Sequence, residues 1–246
     1  MAPEAKSRAI VLHTTRQGDS SLVVHVLDET AGRQSLFLRG VGKGRRTSAA
    51  AAFHPLAVLE VVTDANPRSS LLYLREFEPV LSLPGLRTDI RRSAVAQFVC
   101  EVLWRTLRTG DGDPELFAWL VECIAALEAW PGPGVANFAA WWLVGYSTRM
   151  GFRPEDNWSD EAPVFNIVSA RFGEAFAGQE EALFSREESL LLHRLLTLPF
   201  GEAMALPLSA SRRGVFSRRM ITYLAHHLGQ SLEIRSLDVL HAVFAD

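Results

Sequence analysis

The sequence predicts an α+β protein in which a small β-barrel precedes an α-helical bundle. Up to about residue 78 the apolar residues come in short runs separated by turn residues, which is typical of an all-β unit. From residue 84 onward they recur with the period of helices. The 246 residues are enough for two cores, and the change of period predicts domains over residues 1–80 and 81–246.

Five strands are predicted in the first domain, with turn residues between them. They cover residues 8–15, 21–28, 34–39, 54–63 and 70–77. The long connection between the third and the fourth strand fits a five-stranded Greek-key barrel such as the OB-fold. An SH3-like barrel or an open sandwich fits the same pattern of strands.

Capping residues mark the helices of the second domain. Thr88-Asp89 precedes a helix that Gly110 is expected to stop, and Asp113-Pro114 combines a cap with a proline at the first helical position. A third helix, over residues 138–146, is apolar nearly all round, which predicts a central place in the bundle. Ser185 begins a capping box. The later helices are expected at about 185–198, 212–228 and 236–244.

Residues 151–184 lack a long helical period, and we interpret them as an irregular insert. One short hairpin is predicted within it, with residues 164–167 against 170–172. Residues 155–188 contain nine acidic residues and only two arginines. Such a run is typical of a solvated loop and disfavours contact with nucleic acid.

The motifs of common enzymes and metal sites are missing from the sequence. Cys100 and Cys123 lie on separate predicted helices, which favours buried, reduced thiols and disfavours zinc binding. His226 and His227 are adjacent on a helix, so one is expected at its boundary and the other exposed. The glycine-rich segment 40–46 lacks the Ser or Thr that a phosphate-binding loop needs after its lysine. We therefore expect a protein that is not an enzyme and needs no cofactor or metal.

Positive charge is concentrated in the predicted barrel. Residues 1–75 carry ten Lys and Arg against six Asp and Glu, a balance of +4, whereas the whole chain has a net charge of −3. A charged turn is often only a solvated turn, but here the segment 40–46 is accompanied by cations at strand ends, which favours a polyanion as partner. The candidate DNA-binding residues are Arg16, Arg33, Arg39, Lys43, Arg45 and Arg46.

Aromatic residues available to stack on bases are few in the predicted barrel. Within residues 1–75 only Phe37, Phe53 and Tyr73 are available, so binding is expected to be mainly electrostatic and sensitive to salt.

Most of the six tryptophans are expected in the helical core. The functional alternative is an apolar groove, edged by arginines, that binds a short peptide ending in a carboxylate. The candidates for its rim are Arg105, Arg108, Arg149, Arg212 and Arg213.

Several stretches of the chain, taken in order, resemble the bacterial RecO family of DNA repair proteins. They are Ile10-Val11-Leu12, Arg16 to Val23, Thr30 to Arg33, Arg39-Gly40-Val41, Phe77-Glu78-Pro79, Leu86 to Asp89, Asp113 to Phe117, Gly151 to Pro154 and Ser236 to Leu240. The likeness covers nearly the whole chain and depends on order and spacing more than on any single motif.

The resemblance implies an N-terminal OB-fold joined to a helical domain in a recombination mediator of the RecFOR pathway. The absence of an apolar leader segment and the expected reduced thiols favour a cytoplasmic protein, one associated with the nucleoid. Its implied partners are single- and double-stranded DNA, RecR, the acidic C-terminal tail of the single-strand-binding protein and, indirectly, RecA. Strand annealing is an implied activity. No apolar run approaches the roughly 18 residues of a membrane helix, so no membrane partner is expected. The alternative is an OB-fold module that binds protein or RNA without a role in recombination.

One departure from the family concerns zinc. Many RecO proteins carry a four-cysteine zinc element after a Gly-Phe-x-Pro stretch, but the insert of this chain contains no cysteine. The chain resembles a zinc-free branch. Packing around Trp158, Phe165 and Phe172 is therefore expected to stabilise the insert in place of the metal.

Overall fold

Five strands near the N-terminus close into a barrel, as the sequence predicts. The computed structural model describes residues 4–18, 21–39, 51–64, 71–110, 112–174 and 182–245. Neighbouring strands follow the order β1-β2-β3-β5-β4, and β4 pairs with β1. The closed five-stranded barrel agrees with the OB-fold and excludes an open sandwich. The strands are β1 (Glu4–Gln17), β2 (Ser21–Asp28), β3 (Gly32–Arg39), β4 (Val58–Asp64) and β5 (Leu71–Pro79).

Alternate side chains along the strands point into the barrel and fill its core. On β2 the side chains of Leu22, Val24 and Val26 point inward while their neighbours are half-buried. The largest differences from the predicted strand bounds are in β1 and β4. Strand β1 is longer because it pairs with β4 as well as β2, and β4 begins late because residues 54–57 form a turn with Leu56 at φ 62°.

Three helices follow the barrel within the first of two compact units, which comprises residues 1–129. Asp89 caps α2 by accepting a hydrogen bond from the Arg91 backbone N–H at 2.9 Å, and Asp113 caps α3 by accepting one from Leu116. Both predicted caps are confirmed. The helices are α1 (Pro84–Thr88), α2 (Ile90–Thr106) and α3 (Pro114–Ala129).

Tertiary contacts explain two differences from the predicted helices. Helix α1 was not predicted, and its N-terminal N–H groups at Gly85 and Leu86 donate to the distant Glu128 carboxylate at 2.7 and 2.9 Å. Helix α2 ends before Gly110 because the chain then becomes extended, and Thr109 forms a β-bridge with Gly32.

The second compact unit, residues 130–246, is built around one buried helix. Trp142 and Tyr146 of this helix, α4, are completely buried and stack with ring centroids 4.7 Å apart, which confirms its predicted central place. The Ser185 capping box is confirmed at the start of α5. The helices of this unit are α4 (Phe138–Arg149), α5 (Arg186–Thr197), α6 (Phe200–Met204), α7 (Ala210–Leu228) and α8 (Ser236–Val243).

The predicted hairpin of the insert is confirmed as β6 (Val164–Asn166) paired with β7 (Arg171–Gly173). Phe165 is completely buried, and its ring centroid lies 5.1 Å from that of Phe172 and 5.6 Å from that of Tyr223. Trp158 stacks on His193 at 5.0 Å. Aromatic packing therefore supports the described part of the insert, whose residues lack the thiolates that a four-cysteine zinc site requires.

The cysteines and the paired histidines lie where the sequence predicts. Cys100 on α2 and Cys123 on α3 are both buried. His226 is exposed, whereas His227 is half-buried with Nε2 2.9 Å from the Ile167 carbonyl oxygen. Among the residues that the structure describes, no cluster of three or more His, Cys, Asp or Glu side chains is placed to bind a metal ion. None of the described helices is long and apolar enough to cross a membrane.

Candidate nucleic-acid interface

The predicted DNA-binding cations fall into two groups. Lys43, Arg45 and Arg46 belong to residues 40–50, which lie outside the described residues. Arg16 is exposed near the end of β1, and Arg39 is exposed as the last residue of β3. The chain thus enters the basic segment directly from Arg39.

Arg33, at the start of β3, is half-buried against α2. Its Nη1 donates a hydrogen bond to the Trp104 carbonyl oxygen at 2.5 Å, and its guanidinium carbon lies 4.2 Å from the Trp104 ring centroid. Burial lowers the pKa of Arg33 below its usual range, but an arginine stays charged at neutral pH. Arg33 therefore adds positive potential to the barrel while its side chain packs on α2, and direct contact with a phosphate stays a prediction.

Ion pairs neutralise three other cations of the barrel. Lys6 Nζ lies 2.6 Å from Glu60 Oε1, Arg8 pairs with Glu29, and Arg75 pairs with Asp64. Since an acidic partner screens each of these cations, they are poor candidates for binding phosphate.

Two histidines stack on the outer face of the barrel. The ring centroids of His13 on β1 and His25 on β2 are 4.2 Å apart, and the Trp104 ring meets both edge-on. Burial, the neighbouring His25 and the charge of Arg33 lower the pKa of His13 to about 4. Burial and Arg33 also lower the pKa of His25. Both rings are therefore neutral at neutral pH. Protonating either ring would place a positive charge in this half-buried contact and destabilise it.

The histidine pair predicts that the first compact unit loses stability in acid. Because the pKa of His13 is about 4 in the folded chain and 6.5 when unperturbed, the unfolded chain takes up the proton first as pH falls. The stabilising contribution is complete above pH 6.5 and is lost between pH 6.5 and about 4. Partial solvent exposure reduces the loss to about 1 kcal/mol.

Urea unfolding at neutral and acidic pH measures this loss. The double variant His13→Phe/His25→Phe keeps stacked rings but cannot be protonated there, so it should lose less stability in acid than the unsubstituted protein. Equal losses would show that other groups cause the acid sensitivity.

A cation and two aromatic rings meet at the end of β3. Phe37 of β3 and Tyr73 of β5 are direct partners in the parallel pair, with ring centroids 5.6 Å apart and planes at 83°. The Arg39 guanidinium lies 4.9 Å from the Tyr73 centroid, and its Nη2 donates to the Tyr73 hydroxyl at 3.1 Å. Phe53, by contrast, packs in the barrel core against Phe77. The sequence identified these three aromatic residues but not which two share the surface.

The five arginines predicted to edge a peptide groove are divided between the compact units. Arg105 and Arg108 belong to the first unit, where Arg105 lies 3.8 Å from Glu101. Arg149, Arg212 and Arg213 belong to the second. There Arg213 donates to the carbonyl oxygens of Leu208 and Phe244.

Of the five predicted rim arginines, only Arg212 lines a groove between α5 and α7 in the second unit, and Glu187 and Glu188 line it as well. Its volume is about 320 Å³, and Arg194 and Arg212 are among the residues that line it. Arg212 Nη2 lies 2.9 Å from Glu187 Oε2. The sequence prediction missed Arg194, although it follows Leu190 by four residues and therefore shares a helix face with it. The apolar lining residues are Leu190, Leu191, Leu206, Pro207, Leu208, Val215 and Phe216.

Comparison with known proteins agrees with the resemblance found in the sequence. The family model described as recombination protein O N terminal matches residues 1–83, and the one described as recombination protein O C terminal matches residues 87–236. The chain is 28% identical to the DNA repair protein RecO of Phocaeicola vulgatus, covering 98% of this chain and 99% of that protein. It is 27% identical to RecO of Bacteroides fragilis, covering 97% and 98%, and 25% identical to RecO of Flavobacterium johnsoniae, covering 98% and 100%. With this coverage of both its barrel and its helices, the chain belongs to the RecO family of DNA repair proteins.

Proposed function

We propose that this protein is a non-catalytic recombination mediator that binds single- and double-stranded DNA through its barrel. In this proposal it anneals complementary strands and, with RecR, helps to load RecA onto DNA coated by single-strand-binding protein. The observation that carries the proposal is the exposed Arg39 beside Phe37 and Tyr73, from which the chain enters the basic segment 40–46.

Charge neutralisation supplies a physical route to annealing. Two DNA strands repel each other through their phosphates, and a protein that neutralises phosphates on both lowers this repulsion. The cations of the barrel have the charge for this role, whereas the acidic insert does not. In this proposal the helices bind the protein partners.

Fluorescence anisotropy of a labelled single strand, measured across a salt series, tests DNA binding. We expect affinity to fall steeply with salt, and we expect the protein to accelerate duplex formation between complementary strands in the same buffer. Absence of binding even at low salt would reject the proposal. It would favour the alternative module that binds an acidic protein partner.

An RNA-binding module is the other alternative, and a matched RNA strand distinguishes it. A protein that recognises RNA through its 2′-hydroxyl groups binds that strand more tightly than DNA of the same sequence. Our proposal expects comparable affinities, because phosphate contacts dominate.

The groove between α5 and α7 supports a second function, the binding of an acidic, apolar peptide tail. Exposed Arg194 can attract a carboxylate, whereas Arg212 is already paired with Glu187, and the apolar lining can take up a terminal aromatic or aliphatic side chain. We propose the C-terminal tail of the single-strand-binding protein as the ligand.

Peptide titration tests this groove. Because a hydrogen bond to a charged group contributes about 1.5–3 kcal/mol, Arg194→Ala is expected to weaken binding of an acidic C-terminal peptide about tenfold or more. Arg153→Ala removes an exposed cation elsewhere in the same unit and serves as the control. Equal weakening in both variants, or equal binding of a peptide amidated at its C-terminus, would argue against carboxylate recognition in the groove.

A further inference from the structure

Strand alternation exposes part of the β3 surface. Leu36 and Leu38 point into the barrel core, so Ser35, Phe37 and Arg39 point outward. Phe37 pairs with Val23 on one side and with Tyr73 on the other. Ser35, the preceding residue on the same face of β3, has a small side chain. The Phe37 ring is therefore half-buried on a surface whose adjoining side chains do not cover it completely.

The three side chains at this place form one composite surface. The Phe37 and Tyr73 rings are nearly perpendicular, and the Arg39 guanidinium lies 5.6 Å from the first centroid and 4.9 Å from the second. Each of the three groups is planar. Nucleic-acid bases stack on aromatic rings and also on guanidinium planes.

We propose that Phe37, Tyr73 and Arg39 form a stacking site for unpaired bases of a single-stranded nucleic acid. This inference rests on the proposed function, because it requires that the barrel binds nucleic acid. It adds that the protein contacts bases as well as phosphates, and that these contacts favour single strands.

Charge and base geometry favour a single strand as the occupant. Arg39 supplies positive charge, and the chain that follows it carries Lys43, Arg45 and Arg46. A strand with a phosphate on Arg39 brings its bases within reach of the Phe37 and Tyr73 rings. In a duplex the base faces are already stacked on one another, so the same site gains little from paired DNA.

The structural alternative is that Phe37 and Tyr73 only stabilise the pairing of β3 with β5. Aromatic residues opposite each other on neighbouring strands do stabilise sheets. Under that alternative, replacing the rings lowers stability but does not change the preference between single strands and duplexes. The two explanations therefore predict different binding results.

The experiment compares the unsubstituted protein with Phe37→Leu/Tyr73→Leu on a single strand and a duplex of equal length. Loss of stacking is expected to weaken single-strand binding about tenfold per stacked base, while duplex affinity changes less than about twofold. A single strand carrying 2-aminopurine should lose fluorescence when it binds the unsubstituted protein and lose less with the variant. Thr15→Ala, an exposed change on the same outer face, is the control.

Two results separate the possible failures. If the unsubstituted protein binds neither DNA, the proposed function itself fails. The stacking site alone is rejected if the unsubstituted protein binds both DNAs but the variant weakens both affinities equally. It is also rejected if the variant leaves single-strand affinity and fluorescence unchanged. A matched RNA strand should show the same ring dependence, because the site stacks on unpaired bases of either nucleic acid, and its absence would contradict that breadth.

Arg39→Lys gives an independent test if the double variant does not fold. It keeps the positive charge on an exposed residue but removes the planar guanidinium. We expect reduced preference for single strands over duplexes. An unchanged preference, together with unchanged 2-aminopurine fluorescence in Phe37→Leu alone, would reject the proposal.

Discussion

Replacing Lys43, Arg45 and Arg46 by alanine is expected to reduce DNA affinity by about two to three orders of magnitude near 0.1 M salt. Each phosphate contact releases condensed counterions, so each lost contact lowers the slope of log affinity against log salt by about 0.9. The triple variant should therefore have a slope smaller by on the order of three units. The effect is large because the binding is expected to be mainly electrostatic.

Anisotropy titrations across a salt series provide both the affinity and the slope. A charge-matched control replaces Arg153, Arg186 and Arg235, three exposed arginines of the second compact unit, by alanine. If the control variant loses as much slope as the test variant, net charge alone explains the effect. An unchanged slope in the test variant would remove the basic segment from the interface.

Phe165→Ala is expected to lower the free energy of unfolding of the second compact unit by about 3–5 kcal/mol. The Phe165 ring is completely buried between the rings of Phe172, Phe184 and Tyr223, so its removal leaves a cavity and deletes several edge-to-face contacts. The insert has no metal ligands of the four-cysteine type to compensate. Its hairpin should therefore open first.

Urea unfolding measures the loss, and hydrogen exchange of the β6 and β7 amides shows where it occurs. Val168→Ala is the matched control, because Val168 lies in the same hairpin but is 57% exposed. It should change stability by less than about 0.5 kcal/mol. A loss below about 1 kcal/mol for Phe165→Ala would show that aromatic packing is not what stabilises the insert.

Local signals account for the elements that the sequence predicted well. The caps at Asp89, Asp113 and Ser185 depend on a side chain and an N–H group two or three residues away, so sequence spacing alone identifies them. Strand β2 agrees with its predicted bounds because its burial alternates almost regularly. The hairpin of the insert was predictable from two short runs with apolar residues that are separated by a few turn residues.

Distant contacts account for the differences. Helix α1 depends on Glu128, which is 43 residues from Gly85, so no local pattern indicates it. The early end of α2 depends on a bridge between Thr109 and Gly32. In the candidate interface, the sequence identified Arg39 as a cation and Phe37 and Tyr73 as aromatic residues, but the parallel pairing of β3 with β5 brings them together.

The sequence by itself determined the α+β class, the order of barrel and bundle, the helix caps, the basic character of the barrel and the resemblance to RecO. These properties follow from local periodicity, composition and the order of short motifs. Only the tertiary structure decided that Arg33 packs on Trp104, that Phe53 enters the core, and that Phe37, Tyr73 and Arg39 share one surface. The physical reason is that strand pairing and helix packing join residues far apart in the chain, and burial then determines which side chains remain available to a ligand.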